Sequence, residues 1–176
     1  MIKALKILGI GFGILVFLVV AWFLALLNNG PDTSVYLGAQ VPKHFMNDVR
    51  KLGLLEEGET IKFFYSDGIF DIKDGFYFVS DKHLVIYSDV WEEPASVFTF
   101  DEIISLDVEY NDSFLDDSMV YFETETYAMS FPVSSEYGRD KQFVEYLEEQ
   151  IATHRPPAPP ESAVTAGPSE GGSDGE

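Results

Sequence analysis

The sequence predicts an α+β protein, mainly β, in which about seven antiparallel strands are capped by a C-terminal helix and preceded by one transmembrane helix. Three observations predict it. Between Thr60 and Val133 apolar and polar residues alternate in short runs broken by turn residues, the period of strands. From Gly138 to Ile151 the period lengthens, with Phe143, Tyr146, Leu147 and Ile151 on one helical face. Upstream, Leu5 to Leu27 holds a single charge, Lys6.

The N-terminal run is long enough, at about 1.5 Å per residue, to cross a hydrocarbon core of about 30 Å. A cleavable signal peptide is the rival, since Lys3 and Lys6 resemble its basic start. Its apolar stretch is shorter, however, and Ala21 and Ala25 have the wrong spacing for a small-x-small cleavage site. Residues 1–30 therefore read as an anchor. Lys3 and Lys6 precede it and the next basic residue is Lys43, which places the N-terminus in the cytoplasm and the domain outside it, in a single-pass protein of the cell membrane. Gly9, Gly13, Ala21 and Ala25 form a small-residue ridge for helix–helix packing or homo-oligomerisation, interrupted by Phe17.

Residues 31–53 read as a linker followed by a short amphipathic helix. Pro42 suits the first helical position, Phe45, Val49 and Leu52 share a face, Arg50 and Lys51 suit the last turn, and Gly53 suits the residue beyond it. The strand-like runs follow at 61–66, 75–80, 83–88, 96–100, 103–110, 119–124 and 127–133. Ile104, Leu106, Val108 and Tyr110 make one face of the fifth run apolar, against Ile103, Ser105, Asp107 and Glu109 on the other. Ser66-Asp67-Gly68, Asp74-Gly75, Ser80-Asp81-Lys82 and Asn111-Asp112-Ser113 supply the reversals. On the last helix Lys141, Glu145, Glu148 and Glu149 take the other positions, so its apolar face covers one end of the sheet.

This order, with Leu55-Glu56-Glu57-Gly58-Glu59-Thr60-Ile61-Lys62-Phe63-Phe64-Tyr65, Gly75-Phe76-Tyr77-Phe78-Val79-Ser80-Asp81 and Phe98-Thr99-Phe100-Asp101-Glu102-Ile103, resembles the bacterial PH-like (GRAM-like) domains, in particular small membrane-associated members. The likeness covers roughly residues 54–152, within a domain read as 54–154. It implies a PH-like split barrel capped by the final helix, a scaffold for binding lipid, peptide or protein. Residues 155–176, opening Arg155-Pro156-Pro157-Ala158-Pro159-Pro160, hold one large aliphatic and no aromatic, and read as a disordered acidic tail or a proline-rich ligand.

Chemistry is sparse. His44, His83 and His154 fall in separate elements, and no metal, nucleophile or phosphate-loop motif occurs. Asp67, Asp71 and Asp74, and likewise Asp112, Asp116 and Asp117, cluster in loops without the spacing of a calcium loop. Asn111-Asp112-Ser113 matches a glycosylation sequon. No cofactor, metal or catalysis is expected; an acidic-loop hydrolase and a lipid- or envelope-sensing module are the rival functions.

Charge narrows the partners. Beyond Gly30, nine basic residues stand against thirty acidic ones, a formal −21 that repels nucleic acid and anionic lipid. The first hairpin offers Lys73 among three aspartates, which argues against phosphoinositide binding. The expectation is a protein-binding module for a basic partner, with Ser105, Asp107 and Glu109 beside a peptide-binding edge.

Overall fold

The computed structural model describes residues 30–113 and 116–155, together with the backbone of residues 2–27 and the side chains of residues 11–23. The small-residue positions Gly9 and Ala25 and the tail from Pro156 onward lie outside the described side chains. Helix α1 runs Ile2–Leu27. Among the described residues no helix is long and apolar enough to cross a membrane. This overturns the expected transmembrane anchor. Gly13 and Ala21, expected on a packing ridge, are exposed, and the space beside Gly13 is open.

A two-residue strand, β1 (Tyr36–Leu37), precedes helix α2 (Lys43–Lys51). Pro42 is the N-cap of α2 and not its first helical residue. Phe45 and Val49 are buried, whereas Leu52 caps the helix and is exposed. Gly53, at φ +73°, ends it: its N–H donates to Arg50 O (3.0 Å) and that of Leu54 to Val49 O (3.3 Å), the paired bonds of a Schellman stop.

The seven expected strands are present as β2 (Ile61–Tyr65), β3 (Phe76–Ser80), β4 (His83–Tyr87), β5 (Ala95–Thr99), β6 (Ser105–Glu109), β7 (Ser118–Glu123) and β8 (Ala128–Val133). With β1 they number eight, all antiparallel, in a five-stranded sheet ordered β1-β2-β3-β4-β5 and a three-stranded sheet ordered β6-β7-β8. Pro132 lies in β8, an edge strand of its sheet, where a missing N–H does least harm. Helix α3 (Arg139–His154) closes the described chain.

The centre of the five-stranded sheet is buried on both faces, and β3 has no exposed residue. Phe76 and Phe78 join Phe64, Val85 and the α2 residues Phe45 and Val49 in one cluster, where Phe45 stacks on Phe64 (6.2 Å) and Phe64 on Phe76 (5.7 Å). Tyr77 and Val79 face the other way, into a second cluster with Leu84, Ile86 and Phe98 of the same sheet, Phe122 and Phe131 of the other sheet, and Phe143 and Leu147 of α3. Phe143 reaches across the seam between the sheets: its ring lies 6.0 Å from that of Phe63 on β2 and 5.9 Å from that of Phe131 on β8. The helix therefore closes the barrel from inside as well as covering it.

Candidate peptide-binding edge

Strand β6 starts where a short 3-10 turn, Phe100–Glu102, delivers it. The Glu102 carboxylate accepts from the N–H (2.7 Å) and hydroxyl (2.9 Å) of Thr99, and Phe100 and Ile103 plug into the core. Ile103 was expected on the polar face of the strand; as the residue that caps the turn it is buried in the core instead. Within β6 the alternation holds, with Leu106 and Val108 half-buried against the core and Ser105, Asp107 and Glu109 exposed, but Ile104 and Tyr110, expected on the apolar face, lie beyond the strand's ends and are exposed.

β6 pairs only with β7, so its other edge has no strand partner among the described residues. Helix α3 runs antiparallel alongside that edge. At one end Lys141 Nζ sits over the Tyr110 ring (5.8 Å), and at the other Arg155 Nη2 donates to Ile104 O (2.9 Å). The three anticipated residues do not converge on the edge. Ser105 donates to Glu123 (3.2 Å), Glu109 accepts weakly from Tyr121 (3.4 Å), and Asp107 accepts from the N–H of Val108 (3.0 Å). Ser105 and Asp107 line a shallow depression of about 360 Å³ on the outer face of the three-stranded sheet, with Tyr121, Glu123 and Ser130. The face beside the edge is thus acidic, and the ends of the edge are marked by two cations.

The structure brings together groups that the sequence reading kept apart. Tyr65 and Tyr77 stack at 6.3 Å; Tyr65 donates to Asp117 (2.6 Å) and Tyr77 to Asp67 (3.1 Å). One residue from each acidic loop is thereby held by a buried phenol. Gly75 leaves room for this, since a Cβ there would stand 2.1 Å from Asp67 Oδ1. Burial, then the neighbouring carboxylates, push both phenols well above the ordinary tyrosine range, and burial with Asp67 and Asp116 nearby raises Asp117 above the ordinary carboxylate value despite the Tyr65 bond. Asp71 caps a turn through the N–H of Lys73 (3.0 Å), and Asp112 lies 3.8 Å from Lys141. No group of three or more potential metal ligands occurs among the described residues.

His83, separate in sequence from the other histidines, has a carboxylate partner: its Nδ1 lies 3.1 Å from Oε1 of Glu59, a buried carboxylate that also accepts from Ser80 Oγ (2.5 Å) and from the N–H of Glu56 (2.7 Å). Ser80 Oγ in turn accepts from the N–H groups of Lys82 (2.9 Å) and His83 (2.8 Å), which ties the β3–β4 turn to the entry of β2. Glu59 stands 21 residues before Ser80, so no local spacing could reveal the pairing. The Ser80 hydroxyl is fully buried and aimed at a carboxylate, an arrangement that locks a hairpin and gives no nucleophile access to a substrate. His44 packs on Phe45 (4.2 Å), and His154 bonds Gln150 O (2.8 Å).

Two antiparallel sheets of five and three strands, with a C-terminal helix across one seam, fit a PH-like split barrel. No family model and no curated protein matches the chain. Among solved structures it is similar to a DUF1696 family protein with a pleckstrin-homology domain from Shewanella loihica PV-4, at a TM-score of 0.42 and 12% identity over 69% of this chain and 97% of that one. A likeness that loose carries no functional argument.

Proposed function

We propose that the chain is a non-catalytic binding module that takes an extended basic peptide along the free edge of β6, beside α3. The observation that carries this reading is the unpaired edge itself, held between Lys141 and Arg155 and bordered on its outer face by Asp107, Glu109 and Glu123. An added strand gains main-chain hydrogen bonds there, and its outward side chains meet carboxylates, so lysine and arginine are favoured at alternate positions. The surplus of acid over the whole domain steers such a guest and repels nucleic acid.

The test is a displayed random-peptide library panned on the full chain and on the Asp107→Lys, Glu109→Lys double variant. Basic sequences should enrich on the parent, lose affinity in high salt and fail to enrich on the variant. Equal enrichment of the same sequences on a folded double variant would remove β6 as the site.

A further inference from the structure

The barrel has a second seam. α3 covers the side where β2 and β6 approach, but between β5 and β8 two clefts of about 390 and 330 Å³ lie open. They share Val97, Phe98 and Tyr127, so they form one furrow along the free edge of β5, from Ile104 at one end to Trp91 and Met129 at the other. Its walls carry exposed apolar side chains among polar ones: Ile104 is 53% exposed, Val97 46%, Tyr127 57% and Trp91 38%.

The chain leaves α3 at the mouth of this furrow. Arg155, already extended at φ −62° and ψ 127°, bonds the carbonyl of Ile104, one of the residues that line it. Next in sequence come Pro156, Pro157, Ala158, Pro159 and Pro160. Such a run favours a polyproline II helix at about 3.1 Å per residue, needs no partner for most of its backbone nitrogens, and suits furrows lined by aromatic side chains. Carboxylates at Asp101, Glu102, Glu125 and Glu93 rim the clefts, and the tail's first acidic residue is Glu161. The uncharged stretch fits within the rim and the acidic remainder is repelled from it.

We propose that the β5–β8 furrow is the docking site of the chain's own segment Pro156–Pro160, which covers the second seam as α3 covers the first. Tethering at Arg155 gives the segment an effective concentration in the millimolar range, so weak contacts suffice to hold it. The furrow meets the β6 edge only at Ile104 and Arg155, its other lining residues lie outside that edge, and its occupancy does not depend on the proposal for the edge.

The chain has no cysteine, so Ala158→Cys in the full chain provides a single site for a nitroxide label. The signals of Val97, Tyr127, Met129 and the Trp91 indole N–H should be lost to paramagnetic broadening. Pro157→Gly with Pro159→Gly in the same labelled chain should restore Trp91 and Met129 at the far end, as should Tyr127→Ala. Unbroadened Trp91 and Met129 signals in the labelled parent would overturn the proposal, as would equal broadening in the glycine variant, which mere nearness of the tether would produce. Broadening of isotope-labelled chain by a separate spin-labelled copy would assign the furrow to a neighbour's tail and overturn it too.

Discussion

If α3 is an interior part of the barrel, replacing Phe143 by alanine should be among the most damaging single changes available. Phe143 is fully buried and stands in ring contact with Phe63 of one sheet and Phe131 of the other. Removing such a side chain costs about 3–5 kcal/mol, the transfer of the ring plus the cavity left between three elements that cannot all close on it. The described domain has about 125 residues, so at about 2.1 cal/mol/K per residue its unfolding entropy is near 260 cal/mol/K, and the melting temperature should fall by roughly 11–19 °C. Thermal unfolding followed by near-ultraviolet circular dichroism measures this, with Glu145→Ala on the exposed face of the same helix as the reference, expected within about 0.5 kcal/mol of the parent. If Phe143→Ala melted within about 2 °C of the parent, well below the shift expected for a buried ring, α3 would be an outer attachment and the account of the closed seam would fail.

Asp117→Asn should alter the pH dependence of stability. The folded-state pKa of Asp117 is raised by burial and neighbouring carboxylates, so its protonated form is the one the fold favours; that stability is present below the unfolded pKa of about 4 and is lost as pH rises through the folded value. The asparagine variant should gain most over the parent at neutral pH, and the gap in melting temperature should close as pH falls toward about 4; a gap that widens on acidification would contradict the assignment. Ser118→Ala should cost about 1.5–3 kcal/mol in chemical denaturation, because Ser118 Oγ donates at 2.7 Å to the buried Asp140, whose other oxygen has no hydrogen-bond partner among the described residues. Asp140→Asn in the same background should recover part of that loss by removing the bare charge, and an unchanged midpoint for Ser118→Ala would show that the bond contributes nothing. Glu59→Ala should leave Ser80 and His83 without their shared acceptor and speed amide exchange in the β3–β4 turn; unaltered exchange at Lys82 and His83 would rule out the hairpin lock.

Much of this protein could be read directly from its chain. The seven strands from Ile61 to Val133 and the helix that ends at His154 were legible because alternation, Gly/Asp/Ser turns and the 3.6-residue period are properties of local segments, set by side-chain direction and backbone sterics. Gly53 announced the end of α2 for the same reason, since a residue at φ +73° favours glycine. The acidic surplus is a matter of counting. Only the tertiary structure decided the rest. The two-residue β1 is a strand only because β2 lies beside it, and Leu52 fell on the apolar stripe of α2 but lies beyond the reach of the sheet. Asp67 and Asp117, or Glu59, Ser80 and His83, meet across loops and sheets that no spacing rule connects. The transmembrane expectation drew on the hydropathy and length of one local run, whereas among the described residues no helix is long and apolar enough to cross a membrane. The two seams between the sheets, one closed by α3 and one left as a furrow beside Arg155, exist only once two sheets that share no strand pairing are packed face to face around one core.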